Sequence, residues 1–140
     1  MRGPQWDALG LAGENPILVE AKAHLNEMRS PPCGASLKSR AKITRSMLRV
    51  QTQLKIATNI DWLGVGYQYT NRLAHLFFLR GLNGIPAHLV FIYFCNDPTL
   101  KTPVTKSEWD GAVRLFEAML GTRRHKLSRF VHHLFVDVGP

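Results

Sequence analysis

The sequence has few cysteines and no long apolar run, and both features restrict the class of protein to which it can belong. Its two cysteines, Cys33 and Cys95, lie far apart and lack the spacing of a metal site. Such cysteine usage is typical of a reducing compartment, so we expect a cytoplasmic protein. The N-terminus carries no apolar signal core, and the longest apolar run, residues 89–95, is too short to span a bilayer. We therefore expect no membrane partner.

Acidic residues are missing from one long interval of the chain. The 140 residues carry a net charge of +8, from 18 Lys and Arg against 10 Asp and Glu. No acid occurs between Glu27 and Asp61, and this interval holds seven basic residues: Arg29, Lys38, Arg40, Lys42, Arg45, Arg49 and Lys55. This balance favours a polyanionic partner such as nucleic acid, although ribosomal, membrane-surface and merely basic proteins share it.

Several common motifs of catalysis are also absent. The sequence contains no Gly-rich phosphate loop and no Gly-x-Ser-x-Gly elbow. His24 with Cys33, and the pair His132-His133, are the candidate zinc ligands, but neither set has zinc-ligand spacing. The adjacent histidines would also face opposite ways on a strand. We therefore expect no zinc site.

The most informative stretch that is present is an apolar run, residues 16–24, with charges set into it. Side chains alternate along a strand, so one face would carry Ile17, Val19, Ala21 and Ala23, and the other Leu18, Glu20, Lys22 and His24. The small apolar face is expected to pack on the core. Charges inside an apolar run are usually paired or bind something, which makes Glu20 and Lys22 candidate site residues.

An upstream acid, Asp7, belongs to a shorter strand candidate at residues 6–11. Turn-forming residues 10–15 join the two segments. A hairpin there would bring Asp7 close to Glu20 and Lys22. The alternative is a surface ion pair between Glu20 and Lys22 on an edge strand, with Asp7 as a turn residue.

The rest of the chain alternates between helical and strand patterns. Ser36 is a candidate cap for a helix over residues 36–58, and Thr105 with Glu108 forms a capping-box pattern for a later helix that ends at Gly121. Residues 67–80 are predicted to form a buried helix, residues 85–95 a strand covered on both faces, and residues 130–138 a last strand. The order predicts an α/β (α+β) protein whose mixed central sheet is flanked by helices, in a single domain over residues 1–140.

An Asp on one strand and a Glu-x-Lys on the next resemble the PD-(D/E)XK nuclease superfamily. The resemblance implies a restriction-endonuclease-like core and a metal-dependent hydrolase that cleaves DNA. It implies that Asp7, Glu20 and the Ala21 carbonyl hold Mg²⁺ or Mn²⁺, and that Lys22 orients or deprotonates the attacking water or steadies transition-state charge. Some members carry a Gln and a Tyr on a helix after this strand, so Gln68 is a candidate supporting residue; the alternative is a helix-terminal hydrogen bond.

The chain departs from this family at its start, where the opening helix and first strand of the pattern are absent. Three alternatives stay open: the chain is an N-terminally truncated piece of a longer protein, a second copy completes the sheet as a homodimer, or the fold is incomplete and inactive. An inactive nucleic-acid-binding or assembly module is thus the alternative function. A basic protein-interaction domain without nucleic acid is the third.

Four basic residues recur at helical spacing on the predicted first helix. We expect this basic stripe, which consists of Lys38, Lys42, Arg45 and Arg49, to bind the phosphate backbone of nucleic acid without reading its sequence. The alternative is an ordinary solvated helix face.

Overall fold

A computed structural model describes residues 5–140, and within them the chain forms an α+β fold. In chain order the elements are β1 (Ala8–Ala12), β2 (Asn15–Lys22), α1 (Leu37–Leu54), α2 (Tyr67–Phe77), β3 (His88–Cys95), α3 (Lys106–Leu120) and β4 (Val131–Asp137). Short 3₁₀ turns at Leu25–Met28 and Ser128–Phe130 and a π turn at Phe78–Leu82 complete the list. The predicted class, a mixed sheet with helices packed on it, is confirmed.

The four strands form one open sheet in the order β1-β2-β3-β4. β1 pairs antiparallel with β2, whereas β2 with β3 and β3 with β4 pair in parallel. The antiparallel pair is joined by the two-residue turn Gly13-Glu14, where Gly13 has a φ of 65° that a glycine adopts without strain. The predicted hairpin is therefore confirmed. The parallel pairs need long connections, which α1, α2 and α3 supply.

Local signals set the ends of α1 and α3. The Ser36 hydroxyl accepts a hydrogen bond from the Ser39 N–H and caps α1, as predicted. α1 ends at Leu54, a turn earlier than predicted, because Lys55 adopts the left-handed conformation (φ 59°). Thr105 and Glu108 form the predicted reciprocal capping box of α3.

The prediction of which face of β2 packs on the core was wrong. Leu18, Glu20 and Lys22 are buried, at 6%, 4% and 6% exposure, while the residues between them are only half-buried. On β3, likewise, Leu89, Phe91 and Tyr93 are buried and the alternate residues half-buried, so β3 is not fully covered on both faces as predicted.

The helices explain this burial because they cover the charged face of β2. Tyr69 of α2 stacks on Phe91 with ring centroids 4.8 Å apart, and Trp109 of α3 packs against Tyr93 at 5.0 Å. Glu20 and Lys22 lie beside Phe91 and Tyr93 in the β2–β3 register. These charges therefore sit beneath helices on a central strand, which rules out the edge-strand alternative.

Two further features of residues 5–140 bear on the sequence analysis. Cys33 and Cys95 are both free and buried. None of the helices in this part of the chain has the length and apolar character needed to cross a membrane.

Candidate functional site

The predicted catalytic and metal-binding residues line one cavity of about 310 Å³. It takes side chains from the start of the hairpin, from β2, from the following 3₁₀ turn and loop, and from the first turn of α2. The lining residues are Asp7, Glu20, Ala21, Lys22, Glu27, Arg29, Ser30, Pro31 and Gln68. Residues up to 61 positions apart in the sequence thus meet at one place, as the hairpin prediction required for Asp7, Glu20 and Lys22.

Asp7 is fixed to β2 by a hydrogen bond that its carboxylate accepts from the backbone of Ala21. Its Oδ2 accepts the Ala21 N–H at 2.8 Å, in a position beyond the end of β1, whose first residue Ala8 pairs with Val19. The carboxylate therefore satisfies a strand N–H that β1 does not reach. Because the N–H and C=O of one strand residue point to the same side, the Ala21 carbonyl also faces the Asp7 side.

Glu20 is a buried carboxylate paired with two cations. Its Oε2 accepts a hydrogen bond from Arg72 Nε at 2.9 Å, and its Oε1 lies 3.9 Å from Lys22 Nζ. Arg72 is itself held by the Gln5 carbonyl at 2.8 Å and lies over the Trp6 ring at 4.8 Å. A buried charge is tolerated when it is paired in this way, and Oε1 keeps capacity to bind a further group.

Lys22 is positioned by two acceptors and keeps one donor for other use. Its Nζ donates to the Glu27 carbonyl and to Gln68 Oε1, each at 2.9 Å. An ammonium has three N–H donors, and Glu20 Oε1, at 3.9 Å from Nζ, lies beyond hydrogen-bond distance of the third. Burial lowers the pKa of Lys22 from its usual value of 10.5, against the opposing negative charge of Glu20. The Gln68 contact supports its predicted position beside the site.

Glu27 shapes the wall of the cavity. Its Oε2 accepts the N–H groups of Ala23 at 2.7 Å and His24 at 2.6 Å. These bonds close the 3₁₀ turn after β2 and place the Glu27 carbonyl against Lys22.

The donor set fits a hard cation that keeps several waters. Mg²⁺ in proteins commonly takes one or two carboxylates and fills its remaining positions with water and phosphate oxygens. Asp7 Oδ1, Glu20 Oε1 and the Ala21 carbonyl are the oxygens available for this. Within residues 5–140 no cluster of three or more His, Cys, Asp or Glu side chains is placed to hold a metal by side chains alone, so a cation here would depend on the backbone carbonyl and on solvent.

Other predicted residues lie outside this cavity. Lys38, Lys42, Arg45 and Arg49 are exposed on α1, and none of them lines it. The stripe follows the cavity in sequence, since α1 begins six residues after Pro31.

Sequence reasoning missed the role of Arg72. A signal was present: Arg72 follows Gln68 by four residues, so both project from one side of α2. Once Gln68 contacts Lys22, Arg72 comes next to Glu20, two residues away from Lys22 on the same strand face. Arg29 and Ser30 also went unrecognised, because loop residues carry no periodicity that would place them.

The adjacent histidines of β4 face opposite ways, as predicted. His132 Nε2 lies 3.0 Å from His88 Nδ1. His133 points to the helix-covered side, where Nε2 contacts Glu117 at 2.7 Å and Nδ1 contacts the Tyr93 hydroxyl at 3.0 Å.

Comparisons of this chain with protein-family models, with curated proteins and with solved structures found no match.

Proposed function

We propose that this chain is a metal-dependent nuclease domain, similar to the PD-(D/E)XK superfamily, that hydrolyses phosphodiester bonds of DNA. The observation that carries the proposal is the meeting of Asp7, Glu20 and Lys22 in one cavity. Two carboxylates and an ammonium, drawn from a hairpin and held by hydrogen bonds, are the groups that this reaction needs.

Each residue has a role in this proposal. Asp7, Glu20 and the Ala21 carbonyl would hold Mg²⁺ or Mn²⁺, and this ion would make a water more acidic and neutralise phosphate charge. Lys22 directs its free N–H at the attacking water or at a phosphate oxygen. Gln68 orients Lys22, and Arg72 holds the buried Glu20 side chain in place through a hydrogen bond.

The order of elements and the surface charge add support. The antiparallel hairpin, the helices that follow it and a parallel third strand agree with a restriction-endonuclease-like core. The exposed stripe Lys38, Lys42, Arg45 and Arg49 suits a phosphate backbone. In this proposal the protein acts on DNA in the cytoplasm. Its two free cysteines are typical of such a reducing compartment.

A cleavage assay tests the proposal. We expect supercoiled or linear DNA to be cut with Mg²⁺ or Mn²⁺ and to stay intact with EDTA. Lys22→Met keeps the length of the buried side chain and removes its charge, so we expect the rate to fall at least 100-fold, about the lower end of acid–base contributions. Lys101→Met is the matched control, because Lys101 is exposed and lies outside the cavity. Cleavage that survives EDTA or persists in Lys22→Met would refute the assigned site.

One observation favours a second function, an inactive DNA-binding module of the same fold. Arg72 already neutralises one oxygen of Glu20, which weakens the attraction of the site for a cation. Such a module would bind DNA in EDTA with a steep salt dependence and cut none with either metal. Isothermal titration with Mn²⁺ separates the two, since the nuclease requires binding that Asp7→Asn and Glu20→Gln abolish.

A further inference from the structure

A second polar cavity, the α3–β4 cavity, lies where α2, α3 and β4 meet. It is lined by Tyr69, Glu117, Thr122, Arg123, Ser128, Val131 and His133. None of these residues lines the cavity of the candidate site, so the two cavities are separate. The α3–β4 cavity has a volume of about 110 Å³. Because one water takes about 30 Å³ in the liquid, this is room for about four waters or for one group of the size of phosphate.

Three hydroxyl groups of the wall can donate hydrogen bonds. Ser128 Oγ accepts the His125 N–H at 2.8 Å, which leaves its own proton available. Thr122 is 2% exposed, and its Oγ1 has no hydrogen-bond partner within residues 5–140. The Tyr69 hydroxyl lies near Thr122, but without the geometry of a hydrogen bond. Burial, and then the charge of Glu117, raises the pKa of Tyr69, so this hydroxyl also keeps its proton.

The charges around the α3–β4 cavity favour an anion. Glu117 is the one acid among the lining residues, and its Oε1 already contacts His133 Nε2 at 2.7 Å. Arg123 is exposed and has no ion-pair partner within residues 5–140. The surrounding segment, residues 121–130, contains no acid and three further basic residues, Arg124, Lys126 and Arg129. The wall therefore offers donors and positive charge to a ligand that brings acceptors and negative charge.

We propose that the α3–β4 cavity binds a small oxyanion of the phosphate class, either free phosphate or the terminal phosphate of a DNA strand. Arg123 binds its negative charge, and Thr122 and Ser128 donate hydrogen bonds to its oxygens. A buried hydroxyl without a partner is unfavourable, and the oxyanion supplies the acceptor that Thr122 lacks. An internal phosphodiester carries a sugar on both sides and does not fit a cavity of this size.

Titration with inorganic phosphate tests the site. At constant ionic strength we expect saturable binding by the wild-type chain, measured by isothermal titration calorimetry. Arg123→Gln should weaken this binding by about tenfold or more, the effect of losing a hydrogen bond to a charged group. Arg124→Gln is the matched control, because Arg124 is the adjacent exposed arginine and does not line the cavity. A wild type without saturable binding, or equal affinities in the two variants, would overturn the proposal.

Thr122→Val tests the unpartnered hydroxyl. Valine keeps the shape of the side chain and removes a buried group that has no partner, so without phosphate we expect the variant to be at least as stable as the wild type. Phosphate should raise the urea midpoint of the wild type and should raise that of Thr122→Val less. An equal rise in both proteins would refute the role given to Thr122.

Glu117→Gln tests the charge of the ligand. The substitution removes the negative charge of the wall, and the new amide can still contact His133. We expect Glu117→Gln to bind inorganic phosphate at least as tightly as the wild type. Weaker binding by a variant that circular dichroism shows to be folded would exclude an anion as the ligand.

Two duplexes that differ only in a 5′-terminal phosphate distinguish the two sources. Glu20 and His133 flank Phe91 in the sheet register, so two strand spacings, about 10 Å, separate the strands of the two cavities. A preference for the phosphorylated duplex that Arg123→Gln removes, measured by fluorescence anisotropy in EDTA, would assign the cavity to a DNA end. Equal affinities with saturable phosphate binding would assign it to free phosphate. This DNA comparison rests on the proposed function, whereas the phosphate titration does not, so the two can fail separately.

Discussion

At the scale of single residues, the candidate site is a small network of charges beneath α2. Glu20 lies between Arg72 and Lys22, and Lys22 is held in turn by Gln68 and the Glu27 carbonyl. Glu20, Lys22 and Arg72 are buried, which is tolerable because each has a neighbour of opposite charge or an acceptor for its protons. The network thus fixes the position of the Lys22 ammonium.

Removing the Arg72 side chain should lower the free energy of unfolding much more than removing the side chain of an exposed arginine. Arg72→Met leaves the buried Glu20 carboxylate with only the distant Lys22, and an uncompensated buried charge costs about 3–5 kcal/mol. We expect a fall of about 3 kcal/mol in the free energy of unfolding, measured with urea. Arg114→Met is the control: Arg114 pairs with Asp110 on the surface, where such pairs contribute about 1 kcal/mol or less.

A double variant separates the pair from other effects of Arg72. In the double variant Glu20→Gln with Arg72→Met, neither partner is left as an unpaired buried charge. Its loss of unfolding free energy should therefore be smaller than the sum of the losses in the two single variants. Additive losses, or a loss in Arg72→Met no larger than in Arg114→Met, would show that the pair does not stabilise the fold.

At the scale of elements, β2 carries the candidate site and α1 carries the basic stripe. β2 carries the site on its helix-covered face, and α1 presents Met47, Val50 and Leu54 to the core while its basic stripe faces solvent. The stripe lies outside the cavity, so its predicted contribution is to affinity for DNA and not to the cleavage step.

Neutralising the stripe should flatten the salt dependence of DNA binding. Each phosphate contact contributes about 0.9 to the slope of log K against log salt. Replacing Lys38, Lys42, Arg45 and Arg49 with Gln should therefore lower the slope by about 3.6, measured by fluorescence anisotropy with duplex DNA in EDTA. The control replaces Lys101, Lys106, Arg123 and Arg124, which are equally exposed. If both variants lose the same slope, the stripe is not the binding face.

At the scale of the whole molecule, two half-buried histidines link stability to pH. Burial lowers the pKa of His75 and of His125 below their usual value of about 6.5. As the pH falls through 6.5, the unfolded chain takes up these protons before the folded chain does. The contribution of these two histidines to the free energy of unfolding is therefore fully present above pH 6.5. It declines as the pH drops toward their folded-state pKa values.

His125 offers a test of this linkage. Its Nδ1 accepts the Leu127 N–H at 3.1 Å, a bond that protonation would break and that an Asn oxygen can replace. We expect the urea midpoint of the wild type to fall between pH 7.5 and pH 5.5, and His125→Asn to lose less over that range. His24→Asn, at an exposed position, should follow the wild type. An unchanged pH dependence in His125→Asn would contradict the assignment.

Sequence patterns anticipated the elements well because their causes are local. The cap at Ser36, the capping box of Thr105 and Glu108, and the turn at Gly13 act within a few residues. They predicted the helices of α1 and α3 and the hairpin that brings Asp7 to β2. The Asp and Glu-x-Lys pattern then identified three residues that share one cavity.

The sequence by itself thus determined the order of elements, their caps and the pairing of β1 with β2. Only the tertiary structure decided which face of β2 is buried and that Arg72 lies against Glu20. The physical reason is that alternation along a strand defines two faces but does not say which one the helices cover. That choice depends on how the connections through α1, α2 and α3 cross the sheet, and it places the charged face inside because α2 brings the partners that make burial of those charges tolerable.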